Sequence, residues 1–185
     1  MASKIKVDQL ETADGSGTIA LQNQLSGMTT ASLPALGSAQ MPTGSVIQVV
    51  KYTGAVETAT TSNNTWVATA ANVTITPSST SSKIYLSHTA GGLLQSPSVG
   101  QSFGLRIKRA ISGGATSYPY SSDRYHYMAA GEDWVGTNWA VIELDSPSTT
   151  SAITYTIEFK KSASSGELRH CDTATWNFVA MEVQG

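Results

Sequence analysis

Apolar and polar residues alternate with a period of two over much of the chain, the spacing that puts successive side chains on opposite faces of a strand. The stretch "AITYTIEFKK" shows it most cleanly: Ile153, Tyr155, Ile157 and Phe159 share one face, and Thr154, Thr156, Glu158 and Lys160 share the other. In "SFGLRIKRA", Phe103, Leu105 and Ile107 alternate with the outward Arg106 and Lys108. Both patterns predict strands with one wet face. Three segments are more continuously apolar: "SVIQVVKY" from Ser45, "WAVIELD" from Trp139 and "TWNFVAMEV" from Thr175. They predict strands that bury parts of both faces.

Between these runs lie turn clusters, "TPSSTSSK", "AISGGATS", "DSPSTTS" and "KSASSGE", and no window sustains a helical period. Short strands joined by polar turns, without helical crossovers, predict an all-β fold, an antiparallel β-sandwich of jelly-roll type, over residues 45–185. Residues 29–44 carry two prolines, small residues and no alternation, and read as a linker. Residues 1–28 alternate, turn at Asp14-Gly15-Ser16-Gly17 and alternate again. They predict an extended N-terminal β arm with two sparse apolar stripes, Ile5, Val7 and Leu10 before the turn and Ile19, Leu21 and Leu25 after it. So short an arm cannot bury a core alone, whereas three copies about an axis could bury stripes that one copy leaves bare. The arm therefore reads as an anchoring or trimerisation segment.

Composition narrows the function classes. Charged residues make up 13% of the 185-residue chain, about half the usual share, and the formal net charge is -2. Neither a phosphate backbone nor an anionic lipid surface is attracted by that balance, so no nucleic-acid partner is expected. A single cysteine, Cys171, excludes an intrachain disulfide and leaves the fold to be held by packing. The opening "MASKIKVDQL" has no signal-peptide apolar run, and no stretch is long and apolar enough for a membrane helix. Synthesis in the cytoplasm, without membrane insertion, is expected.

Candidate chemistry is sparse. "GSGTIA" at Gly15–Ala20 fits a loosened dinucleotide fingerprint, but the flanking segments are not a buried strand and a helix, so a glycine-rich hairpin turn is the better reading. His88, His126 and His170 match no zinc spacing and are expected to be polar surface or interface residues; in "RHCD", strand alternation would put His170 and Asp172 on one face. The alternative is a metal shared between chains on a symmetry axis. Glu132 and Asp133 are adjacent acids without a second partner at catalytic separation. No enzyme activity, metal or cofactor is expected. The sequons at Asn63 and Asn72 carry no weight without a route through a glycosylating compartment.

One region stands out for recognition rather than catalysis. "SYPYSSDRYHYMAAGEDWVGTNW" sets Tyr118, Tyr120, Tyr125, Tyr127 and Trp134 among Arg124, Asp133 and Asn138. Aromatic faces stack on sugar rings or fill protein hot spots, and Asn, Asp and Arg add directional hydrogen bonds. Packing over the end of the sandwich, or against a neighbouring subunit, is the other reading. Trp134 reads as a loop residue and the stronger binding candidate, and Trp139 as the start of a buried strand.

The opening "SKIKVDQLETADGSGTIALQNQLSGM" and the linker into "GSVIQVVKY" resemble the N-termini of bacteriophage tail-fibre and virion appendage proteins, especially those of marine and cyanobacterial phages. "ANVTITPSSTSSKIYLSH", "DSPSTTSAITYTIEFK" and "ATWNFVAMEV" are similar in layout to the C-terminal β-sandwich heads of such proteins, which commonly trimerise with a topology like that of C1q and tumour necrosis factor. The resemblance implies a homotrimer, an N-terminal arm joined to other tail or capsid proteins, and a distal head exposed on the virion toward a host glycan or protein. It transfers no particular receptor-binding residues. The alternative within the class is a capsid or tail decoration protein that contacts only other virion proteins.

Overall fold

The computed structural model describes residues 37, 40–172 and 174–185. The arm, with Ile5, Val7, Leu10, Ile19, Leu21, Leu25 and the glycine-rich turn, lies outside the described residues, as does most of the linker.

Among the described residues, ten antiparallel strands form two sheets. In the first, β1 (Val46–Gly54) pairs with β10 (Trp176–Val183), and β10 with the long β4 (Lys83–Ser96). Beyond β10, the same flank of β4 takes the short β9 (Leu168–His170), which in turn pairs with β2 (Thr58–Thr60). The opposite flank of β4 is paired by β7 (Glu132–Asp145), an edge strand. In the second sheet the order is β3 (Val67–Ile75), β8 (Ile153–Lys161), β5 (Gln101–Ile111), β6 (Thr116–Met128).

The alternation in the sequence explains the layering. Ile153, Tyr155, Ile157 and Phe159 on β8, with Phe103, Leu105 and Ile107 on β5, face Ile84, Leu86, Leu94, Val141, Phe178 and Ala180 from the other sheet, all buried. Trp139 fills the middle, stacked on Phe103 at 4.8 Å and edge-on to Phe159 at 5.3 Å. Burying each such side chain stabilises the fold by about 1.5–3 kcal/mol. Two buried carboxylates tie elements together, Glu182 within the first sheet and to the β3–β4 turn, and Asp145 between the sheets. Glu182 on β10 accepts hydrogen bonds from Gln48 Nε2, Ser78 N, Ser78 Oγ and Ser82 Oγ at 2.6–2.7 Å. Burial alone would raise its carboxyl, but these donors hold it below the ordinary value. Asp145 on β7 receives Arg109 Nη1 at 2.7 and 2.9 Å and Tyr155 Oη–H at 2.7 Å, bridging to β5 and β8.

Four expectations are corrected. The apolar runs of β1 and β7 do not bury both faces. β1 and β7 are edge strands of the first sheet, and Val46, Val49, Ile142 and Leu144 stand exposed on its outer face. Trp134 lies within β7 rather than in a loop, because the strand begins at Glu132. His88 and His170 are core residues with no exposed surface, and of the three histidines only His126 is exposed. His170 and Asp172 do not share a face. Cys171 adopts a left-handed φ of 63°, which ends the alternation and turns Asp172 outward to Arg169.

Candidate functional site

The recognition region folds as two long strands, β6 and β7, joined at Ala129–Gly131 but belonging to different sheets. Its residues therefore part. Tyr118, on β6, stacks on Arg106, whose guanidinium carbon lies 3.9 Å from the Tyr118 ring centroid and 4.2 Å from that of Trp66. Arg106 is fixed from behind by Glu158, with Nε at 2.7 Å from the carboxylate. Tyr120 is half-buried against the core, and its hydroxyl is pushed up by desolvation. Tyr125 packs on Phe103 at 5.4 Å and turns its hydroxyl to Ala140 of β7. Tyr127 and Arg124 are exposed.

Asp133, Trp134 and Asn138 are placed elsewhere, on the outer face of the first sheet. Cross-strand register sets Arg169 of β9 beside Leu93 of β4, and Leu93 beside Gly136 of β7. The adjoining row pairs Gly91 with Asn138. Two glycines in these rows, Gly91 and Gly136, leave a depression of about 340 Å³ lined also by Gly92, Leu93, Thr137, Asn138 and Asp172, whereas the side of Gly92 that a Cβ would fill faces inward against the Trp139 indole. A Cβ at Gly136 would meet no atom within 4 Å, so the space above that strand is open.

Next to the hollow, two residues along β7 from Gly136 and across β4 from it, lies a charged and aromatic cluster. The Arg169 guanidinium carbon sits 4.7 Å from the Trp134 ring centroid, a cation–π contact that holds the indole while leaving it 38% exposed. Three carboxylates surround Arg169: Glu167 at 3.1 Å, Asp172 at 3.3 Å and Glu57 at 3.9 Å. Glu57 is raised above its ordinary range, chiefly by a hydrogen bond with Asp172. Gln95 Nε2 donates to Asp133 at 3.0 Å. Arg169 and the glycines were not singled out from the sequence, and Asp172 only as a supposed face-mate of His170, because β4 and β9 bring them in from distant segments. A usable signal existed in Gly91-Gly92 inside an apolar strand pattern, since glycine there marks a close approach or an open surface. Among the described residues no three His, Cys, Asp or Glu side chains are grouped to hold a metal ion.

The fold is thus an antiparallel β-sandwich whose first sheet carries a glycine-floored hollow on its outer face. No protein-family model matches the chain, and no curated protein matches it. Among solved structures it is similar to the infectious bursal disease virus VP2 subviral particle, with a TM-score of 0.41 and 15% identity over 83% of this chain and 38% of that one. It is also similar to the structure of the Gx strain of that virus, with a TM-score of 0.36 and 18% identity over 83% and 38%. A third likeness is to the T13 particle of the same virus, with a TM-score of 0.35 and 16% identity over 83% and 40%. The chain spans 38–40% of the length of these solved chains.

Proposed function

We propose that the chain is a non-enzymatic structural protein of a bacteriophage virion, a fibre or appendage. In this reading it assembles as a homotrimer, residues 1–28 join it to the particle, and the sandwich is its exposed head, meeting the host surface. The observation that carries the reading is an apolar band across the outer face of the first sheet. Register aligns Val49, Met181, Tyr85 and Leu144 in one row over β1, β10, β4 and β7. In the next row Val179 and Ile142 alternate with Lys51 and Ser87, so the band is one apolar row with a mixed one beside it. Val49 is 55% exposed, Leu144 50% and Ile142 63%. Scattered surface hydrophobes need no explanation, but a band crossing four strands is the feature of a surface that is covered in use. Three copies around an axis would turn their bands toward one another, which agrees with the trimer implied by the sequence resemblance.

Mass photometry of the full chain at micromolar concentration tests this. Wild type is expected to be trimeric, and the double variant Val49→Lys/Leu144→Lys a folded monomer; a wild-type monomer would overturn the reading. Removing residues 1–28 is expected to leave a folded head that no longer enters particles, and unimpaired incorporation would refute the anchoring role.

A further inference from the structure

We infer that the hollow between β4, β7 and β9 is a saccharide-binding site, selective for neutral pyranose rings over acidic ones. The inference rests on the exposed-head reading only for its biological setting; its chemistry stands on the site. The hollow lies at the other end of the sheet face from the apolar band. Gly136 and Leu144 are eight residues apart on β7, about 27 Å at the rise of an extended strand. Subunit contacts made through the band therefore leave it open.

Each part of the site matches a part of a sugar. The volume of about 340 Å³ falls at the small end of ligand pockets, a scale of one or two rings rather than a peptide or a duplex. The glycine floor and Leu93 give a flat, weakly apolar bed for the C–H face of a ring. Trp134 presents an indole already fixed by Arg169, so stacking on it costs little side-chain entropy. At the rim, Asp172 supplies carboxylate acceptors, and the exposed Asn138 amide supplies both a donor and an acceptor, the combination that vicinal hydroxyls require. Charge sets the selectivity. Three carboxylates stand around the one guanidinium, and Asp133 lies next to Trp134, so a phosphate, sulfate or sialic carboxylate would meet net repulsion.

The experiment is an array of immobilised neutral oligosaccharides, built of glucose, galactose, mannose and N-acetylhexosamine, with sialylated and sulfated counterparts, probed with the full chain. Wild type is expected to retain neutral members and to give weaker signals on their acidic counterparts. Trp134→Ala removes the stacking face. Gly136→Val fills the floor from a position where its Cβ meets nothing and where a β-branched residue suits a strand. Each is expected to lower the signal at least tenfold while mass photometry shows the wild-type oligomeric state. Absence of wild-type binding, stronger binding to acidic members, or binding indifferent to both variants would overturn the inference. The same mass measurement separates the two proposals: a wild-type monomer that retains neutral sugars would overturn the trimer and leave the site standing.

Discussion

His88 and His170 face each other inside the core with Nε2 atoms 3.3 Å apart, and the donor accounting fixes their protons. His88 Nδ1 lies 3.0 Å from the Asn177 carbonyl, which only accepts, so the proton is on Nδ1 and His88 Nε2 is an acceptor. His170 Nε2–H then donates to it, which leaves His170 Nδ1 as a bare lone pair, one of several buried polar atoms without a partner. Charging either ring would place a cation in an apolar interior. Desolvation, with repulsion from His170 added, lowers His88 from 6.5 to about 3, and desolvation lowers His170 to about 4. Because the folded values are depressed, the unfolded chain binds more protons below pH 6.5, so stability is level above that pH and falls as pH drops toward 4. The slope is up to about 1.4 kcal/mol per pH unit for each histidine. Urea denaturation between pH 7.5 and pH 4.5 is expected to show that loss, at about the slope this linkage gives. In His170→Gln, which keeps an N–H for His88, the slope should fall by about half or more. An unchanged slope would assign the acid sensitivity to other groups.

At the level of elements, the decisive feature is how β7 manages its free edge. The Tyr125 hydroxyl, reaching across from β6, donates to the Ala140 carbonyl and accepts the Ala140 N–H at 3.0 Å. It thereby occupies one outward pair of backbone groups on an edge strand, the groups through which sheets add further strands. Tyr125→Phe is expected to cost about 1 kcal/mol in urea denaturation and to raise concentration-dependent light scattering. Unaltered scattering would show that the edge is protected by other means. This device also bears on what was legible in the sequence. β5 and β8 could be read because their apolar and polar positions alternate, which makes period two visible, and β10 because its apolar run is continuous. β6 could not, since it is an edge strand with register shifts near Gly104 and Lys108, and its tyrosines serve three different surroundings. β2 and β9, three residues each, are too short to show a period. The site was half legible: Asp133, Trp134 and Asn138 stand out by type, whereas Arg169 and Asp172 join them only through pairing with β4. The histidines were misplaced because nothing local distinguishes an imidazole on a wet face from one whose partner is another imidazole.

For the molecule as a whole, β4 is the strand to which the rest of the first sheet is joined. Its Lys83–Thr89 segment is bonded to β10 and its Gly92–Leu94 segment to β9, while β7 pairs with the other flank from Ile84 to Ser96. The apolar band crosses one end of it and the glycine hollow lies on the other, so assembly and recognition share one continuous backbone. That arrangement has a consequence in time. Each amide of β4 is bonded to one flank alone, but those at its centre, such as Leu86 and His88, sit in long ladders packed on the core, so freeing them takes near-global unfolding. Those of Thr58–Thr60 and Leu168–His170 are freed by opening two short strands. Native-state hydrogen exchange is expected to rank them accordingly, the short pair exchanging orders of magnitude sooner. Equal protection would mean that the sheet opens as one unit. With the expected ranking, Arg169 is carried on a strand that breathes while Trp134 and Gly136 stay on one that does not. The cluster beside the hollow then loosens and re-forms many times within the lifetime of its floor.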